Sequence, residues 1–523
     1  MLTVLRNGGA QPRPLEADAA GLDDRRVSED PAPELLSLPE RWTRGTWGGL
    51  AAALIFGVLV DLSVDGPPGV GIALAASAAA AGVWLLARPR RGGLVFFGAG
   101  LVLAWLAAAR ASIPLQLLDI SCAVGLFAWG AGFSRAGDAA RETALGYLSR
   151  GLAVLGSVAV GAAELFGPIG RSLRGPSRVR ALPRLTIIVV PIVTLFAVLL
   201  GSADPVFAHY LGTPLGTVEL GSAPLHALEI SAAAFAFAVL LARAKESVRV
   251  PGPVRADPIL GPVEWKALLA SVNVLFAGFV AVQFTAFFGG RTHVVEQQGL
   301  TFAEYARTGF AQLLAAAALT GALLAAVWRW GRDRDHLAFR VLALTLVGLS
   351  LVVLVSAFRR LTLYEEAYGW TWPRLLGRAA ILIVGALLVA GGVAIATRRA
   401  AWLPFAAVTI GFAALLVLNI SNPDRFIASR NLGRFERTGK IDVEELQSLS
   451  ADAAPLLLES LPSLPAPERS ELTEFLACER DFLAELVDRY GWAGFNPARD
   501  SAIEALNRAD LGICTDLSVY NYD

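Results

Sequence analysis

Three polar stretches hold the residues best equipped for chemistry. Leu300–Phe310 carries Glu304, Tyr305 and Arg307, an acid, a phenol and a fixed cation. Leu361–Trp370 carries Tyr364, Glu365, Glu366 and Tyr368, and the tyrosines stand four residues apart, on one face if the stretch is helical. Asn419–Asn431 supplies Asn422, Asp424, Arg425 and Asn431. Brought together, such groups would clamp an anionic or polar ligand, or act as acid, base and anion partner on a lipid-linked substrate. The competing reading is that Tyr, Trp and Arg anchor helix ends at the headgroup level of a bilayer.

A second set is defined by where it lies. Asp61, Asp119, Glu229 and Glu264 fall within or near the ends of long apolar runs. An ionisable group at bilayer depth is costly, which makes each a functional candidate. Asp119 and Glu229 are the better placed for an internal path, and Arg110 is a candidate partner for Asp119. Soluble-site signatures are absent from the sequence: it contains no His-Glu-x-x-His, Cys-x-x-Cys, Gly-x-x-x-x-Gly-Lys or Gly-x-Ser-x-Gly. His209, His226, His293 and His336 show no ligand spacing, so neither a metal site nor a cofactor is expected.

The elements that must position these residues are transmembrane helices. Of 523 residues, 55% are hydrophobic and 17% charged, against about 25% charged in soluble domains. Mean hydropathy is +0.55. The 45 basic and 45 acidic residues cancel, which argues against nucleic acid, whose phosphates need a basic excess. The bilayer is the expected partner.

A bilayer core of about 30 Å needs roughly 20 apolar residues in a helix. Runs of that kind predict about eleven spans, within a range of ten to twelve: 47–64, 70–87, 92–109, 113–133, 185–203, 227–242, 265–288, 310–328, 337–358, 375–396 and 403–420. Residues 1–46, rich in Pro and charge, predict a disordered tail. No apolar core follows a basic start there, so the first span is expected to act as the insertion signal. The segment 151–170 is flanked by arginines on both sides and predicts an interfacial helix, with a twelfth crossing as the alternative. Residues 421–523 predict a small helical soluble region, a candidate docking arm for a protein partner. The basic clusters 88–91, 171–184, 243–255, 329–334 and 398–399 then share one side. Positive residues collect in the cytoplasm, so the N-terminus is predicted inside, with the C-terminal region and all three polar stretches outside. Cys122 lies in a span, whereas Cys478 and Cys514 lie in the C-terminal region as either a disulfide or two free thiols.

Several motifs resemble one bacterial family. Ser202-Ala-Asp-Pro-Val-Phe207, Leu300–Phe310, Arg360–Gly369, Leu418–Ala428 with Asn431, Leu449–Pro455 and Trp492–Leu506 are similar, in order, to the multi-pass membrane proteins grouped as domain of unknown function 4173, with the related 4153 group. The likeness runs over about residues 90–510. It implies an inner-membrane protein and assigns no catalytic residues. The fold class predicted is therefore an all-α polytopic bundle in the bacterial plasma membrane. Its leading functional reading is a non-enzymatic envelope or signalling component. The alternatives are a transporter of a small polar or anionic solute and a membrane-embedded enzyme acting on lipid-linked substrates.

Overall fold

A computed structural model describes residues 47–64, 66–135, 137–155, 157, 223–245, 260–288, 310–331 and 337–514. The N-terminal tail, the predicted span 185–203, nearly all of 156–170, and Glu304, Tyr305 and Arg307 lie outside the described residues.

The chain folds as helices throughout the described residues, and the bundle is that of a polytopic membrane protein. In order these are α1 (Trp47–Val64), α2 (Val70–Ala87), α3 (Arg91–Ala109), α4 (Ile113–Gly132), α5 (Ala144–Leu155), α6 (Ala223–Lys245), α7 (Pro262–Phe288), α8 (Phe310–Trp330), α9 (Leu337–Tyr368), α10 (Trp372–Thr397) and α11 (Leu403–Ser421). The C-terminal helices follow: α12 (Pro423–Thr438), α13 (Val443–Gln447), α14 (Ala454–Ser460), α15 (Ala466–Tyr490) and α16 (Pro497–Asn507). Among the described residues, nine helices are long and apolar enough to cross a membrane, and α1 is a shorter apolar companion.

Three apolar cores organise the bundle. One joins α1, α2 and α6 with residues of α3, α4 and α5, centred on Phe237 and Val83. Another joins α7, α8, α9 and α10 around Trp265 and Phe339. The third runs from Leu103 and Leu115 through Leu418 to Ile427, Leu457, Leu476 and Leu506, so the C-terminal helices share a core with α3, α4, α10 and α11. Small residues allow the close approaches on which bundles in lipid depend. A Cβ on Gly57 of α1 would collide with the carbonyl oxygen of Ile230 on α6.

One helix departs from its predicted boundary. The apolar run of α9 stops at Phe358, but the helix continues to Tyr368, 32 residues in all. That is roughly 48 Å of helix, well beyond what a core of about 30 Å requires. Its last turns stay helical because α12 caps them: Arg434 donates to the carbonyls of Glu366 (3.3 Å) and Ala367 (2.7 Å). Gly369 then reverses the chain at φ +86°, with Asn431 Oδ1 2.7 Å from where a Cβ would sit.

The α1–α6 contact yields a direct test. Gly57→Leu should destabilise the detergent-solubilised protein by at least the roughly 1–3 kcal/mol typical of overpacking. Thermal unfolding followed by circular dichroism would read this as a lower midpoint, whereas Gly98→Leu, at a position with open space around it, should leave the midpoint unchanged.

Candidate functional site

The polar residues of the C-terminal half gather at one end of the bundle, where the α3–α4 turn, the end of α11 and the C-terminal helices meet. Helix α11 ends at Asn422, in the left-handed region at φ 47°, a conformation Asn tolerates better than most residues. Its side-chain oxygen accepts from the Arg425 amide at 3.3 Å and so caps α12, which starts with Pro423. Its side-chain amide donates to Asp452 Oδ1 at 2.9 Å.

Asp452 is the hub of this end. Its other oxygen accepts from the Ala111 amide at 2.6 Å, and Arg110 Nη1 approaches Oδ1 at 3.4 Å. Arg110 Nη2 donates to the Asn419 carbonyl at 2.6 Å, and the Arg110 carbonyl accepts from Asn496 Nδ2 at 2.8 Å. Arg110 therefore pairs with Asp452, not with Asp119. Asp119, fully buried, accepts instead from Asn419 Nδ2 at 3.0 Å. Gln116 and Arg499 both donate to the Pro68 carbonyl, at 3.1 and 3.0 Å. The first amides of α2, at Val70 and Gly71, donate to the carbonyls of Phe495 and Ala493, supplying partners that a helix start lacks internally.

The predicted polar cluster is thus placed residue by residue. Asp424 is buried and accepts from Trp372 Nε1 and Ser450 Oγ. Burial pushes its carboxyl above the usual range, against the pull of those bonds. Glu365 is buried and paired with Arg378, whose guanidinium lies between the rings of Phe358 (4.4 Å) and Trp370 (4.7 Å). Asn431 exchanges two hydrogen bonds with the Trp370 backbone, accepting at 2.7 Å and donating at 2.8 Å. Tyr364 and Tyr368 meet edge to face at 5.2 Å, and Arg374 stacks on Tyr364 at 4.3 Å. Glu366 and Arg425 are exposed. The 361–370 and 419–431 stretches do converge, through Asn431 on the Trp370 backbone, while Glu365, Asn422 and Asp424 pair with Arg378, Asp452, Trp372 and Ser450.

Open space lies beside this junction. A groove of about 1300 Å³ runs between α15 and the ends of α2, α4 and α10. Ile113, Leu117 and Trp372 form its bundle side, and Phe475, Phe482 and Glu474 its α15 side. Cys478, on α15, is bonded to Cys514, which fixes the end of the described chain to that helix.

Sequence reasoning did not single out Asp452, Asn496 and Arg499 as site residues, although the Leu449–Pro455 and Trp492–Leu506 motifs contain them. It also missed a pairing in the first core, where His226 on α6 meets Asp61 on α1 at 3.0 Å.

A family model described as a domain of unknown function, DUF4153, matches residues 51–460. The chain belongs to that family. No curated protein and no solved structure matches it.

Two predictions test this junction. Asp452→Ala should cost about 2–4 kcal/mol, below the roughly 3–5 kcal/mol of a fully buried pair, because the Arg110 side chain keeps 25% exposure. Asp452→Asn, which keeps an acceptor, should cost less, and resistance of the C-terminal helices to trypsin would rank the two. The second concerns pH. Burial, and then the charge of Asp442, push Glu445 from the ordinary 4.5 up to about 7. An acid raised on folding favours the folded state fully below pH 4.5 and loses that contribution as pH rises through 7. The unfolding midpoint of Glu445→Gln should therefore fall less between pH 5 and 8 than that of the unmodified protein.

Proposed function

We propose that this is a non-enzymatic component of the bacterial cell envelope, a rigid multi-pass platform in the plasma membrane whose C-terminal helices face outward and hold a protein partner. One observation carries the reading. The side chains of Glu365, Asn422, Asp424 and Asn431 are engaged with Arg378, Asp452, Trp372, Ser450 and the Trp370 backbone, while a groove of about 1300 Å³ lies open beside them. Its mixture of aromatic walls with Glu471, Glu474 and Glu485 suits a segment that carries both apolar and basic residues.

Orientation rests on two supports. The Cys478–Cys514 bond favours an oxidising compartment for the C-terminal helices. At the opposite end, Arg88, Arg90 and Arg91 are exposed between α2 and α3, and Arg398 and Arg399 follow α10, as expected of a cytoplasmic face. The N-terminus then lies inside. The motifs that resemble the domain of unknown function 4173 group support a place beside that group within the wider family.

Two measurements decide. In a Cys122→Ser background, Thr438→Cys should react with a membrane-impermeant maleimide in intact cells, and Arg90→Cys only after permeabilisation; the reverse pattern would invert the orientation. A benzophenone amino acid replacing Phe482 should crosslink in cells to a protein. Adducts with lipid alone, or none, would remove the partner-binding reading.

A further inference from the structure

The first core ends in a group of side chains that the platform reading leaves unused. Gly57 brings α1 against the Ile230 carbonyl of α6. One helical turn beyond Gly57 stands Asp61, and one turn before Ile230 stands His226, so the same close approach sets these two side chains face to face. His226 Nδ1 lies 3.0 Å from Asp61 Oδ1. Glu229, three residues after His226 and on the same face of α6, completes the group, and one ligand atom from each residue lies within 4.8 Å of the other two. Asp61 is buried, and His226 and Glu229 are half-buried. The sequence reading expected no metal site, because the His-x-x-Glu pair of α6 and the lone Asp of α1 are 165 residues apart and their spacing carries no motif.

We propose that Asp61, His226 and Glu229 bind a divalent transition-metal cation, through one imidazole nitrogen and two carboxylate oxygens. The donor set suits Zn²⁺ or Mn²⁺: imidazole favours Zn and the later transition metals, and carboxylate favours the harder divalent ions. Bonds of about 2.0–2.2 Å in a tetrahedron put donor atoms roughly 3.3–3.6 Å apart. The 3.0 Å contact and the 4.8 Å limit bracket that edge, so small rotations of the side chains close the site. Two carboxylates this close repel in a medium of low dielectric, and a dication reverses the sign of that interaction. Three protein ligands leave a coordination position for water or an incoming group, as in zinc sites that do more than hold structure. The position agrees with access from outside the bilayer: Asp61 lies in the last turn of α1 and His226 in the first turn of α6.

The site is tested on the full chain, purified in detergent with any affinity tag removed and stripped of metal. Zn²⁺ alone should raise the unfolding midpoint and bind at one ion per chain by calorimetry. Co²⁺ should give visible d–d bands that Zn²⁺ removes. His226→Ala, Asp61→Asn and Glu229→Gln should each weaken Zn²⁺ binding by at least roughly tenfold, the lower end of the loss seen when only an outer partner of a metal ligand is removed. Their midpoints without metal would show whether they remain folded. Asp61→Cys is the control that does not depend on loss: it should keep the site and add a thiolate-to-Co²⁺ charge-transfer band in the near ultraviolet. Zn²⁺ affinity unchanged in the triple variant D61N/H226A/E229Q, or no thiolate band from folded D61C, would overturn the proposal. Neither result bears on the groove.

Discussion

A charge that cannot reach bulk water must find its partners within the fold, and the Arg110–Asp452 junction is where this chain meets that requirement. Asp452 has only 2% of its side chain exposed. It is matched by a guanidinium, a backbone amide from the α3–α4 turn and the Asn422 side chain. Such a carboxylate is tolerable only while all of these partners are in place, since an uncompensated buried charge costs several kcal/mol. The α3–α4 turn, the α11–α12 break and the turn that precedes α14 are therefore fixed together. The C-terminal helices cannot swing away as a tethered arm without exposing both that charge and the shared apolar core beneath it.

This requirement gives the acids and arginines at this end of the bundle partners within the fold. Above a bilayer the helix ends must exchange lipid for water within a turn or two, and Arg, Tyr and Trp suit that boundary. Arg378 shows the pattern: its charge is met by Glu365 while its flat faces are covered by Phe358 and Trp370. The site in which such residues would act on a ligand requires donors left facing open space. The groove between α15 and the helix ends is bordered more by aromatic and aliphatic side chains than by these pairs.

How much of this was legible in the sequence follows from the range of each interaction. Apolar runs near twenty residues are read locally, and the described helices from α1 to α4 and α6 to α11 fall where such runs lie. The last turns of α9 were not legible, because they are held by Arg434, 67 residues away from Ala367. The partner of Arg110 was misread for the same reason. Asp119 is near it in sequence, whereas Asp452 is 342 residues distant, and the Leu449–Pro455 motif that contains it does not say which residue it meets. The convergence of the 361–370 and 419–431 stretches was legible from helix order alone, but not its outcome, since pairing and openness depend on side-chain packing that periodicity does not encode.

The three cores are not independent, and the helices that join them also border the groove. Residues of α3 and α4 belong to both the first and the third core, through Phe97 and Phe127 on one side and Leu103 and Leu126 on the other. Helix α10 contributes Leu375 to the third core and Ile381, Leu388 and Ile395 to the second. The groove is walled by Ile113 and Leu117 from the start of α4 and by Trp372 from the start of α10. Trp372 also donates to Asp424, so it bears on both the junction and the α10 core. A ligand seated in the groove would thus contact both connecting helices at the end where the junction holds them. Packed interiors transmit small displacements because they have few voids to absorb them. A shift imposed there would therefore reach all three cores.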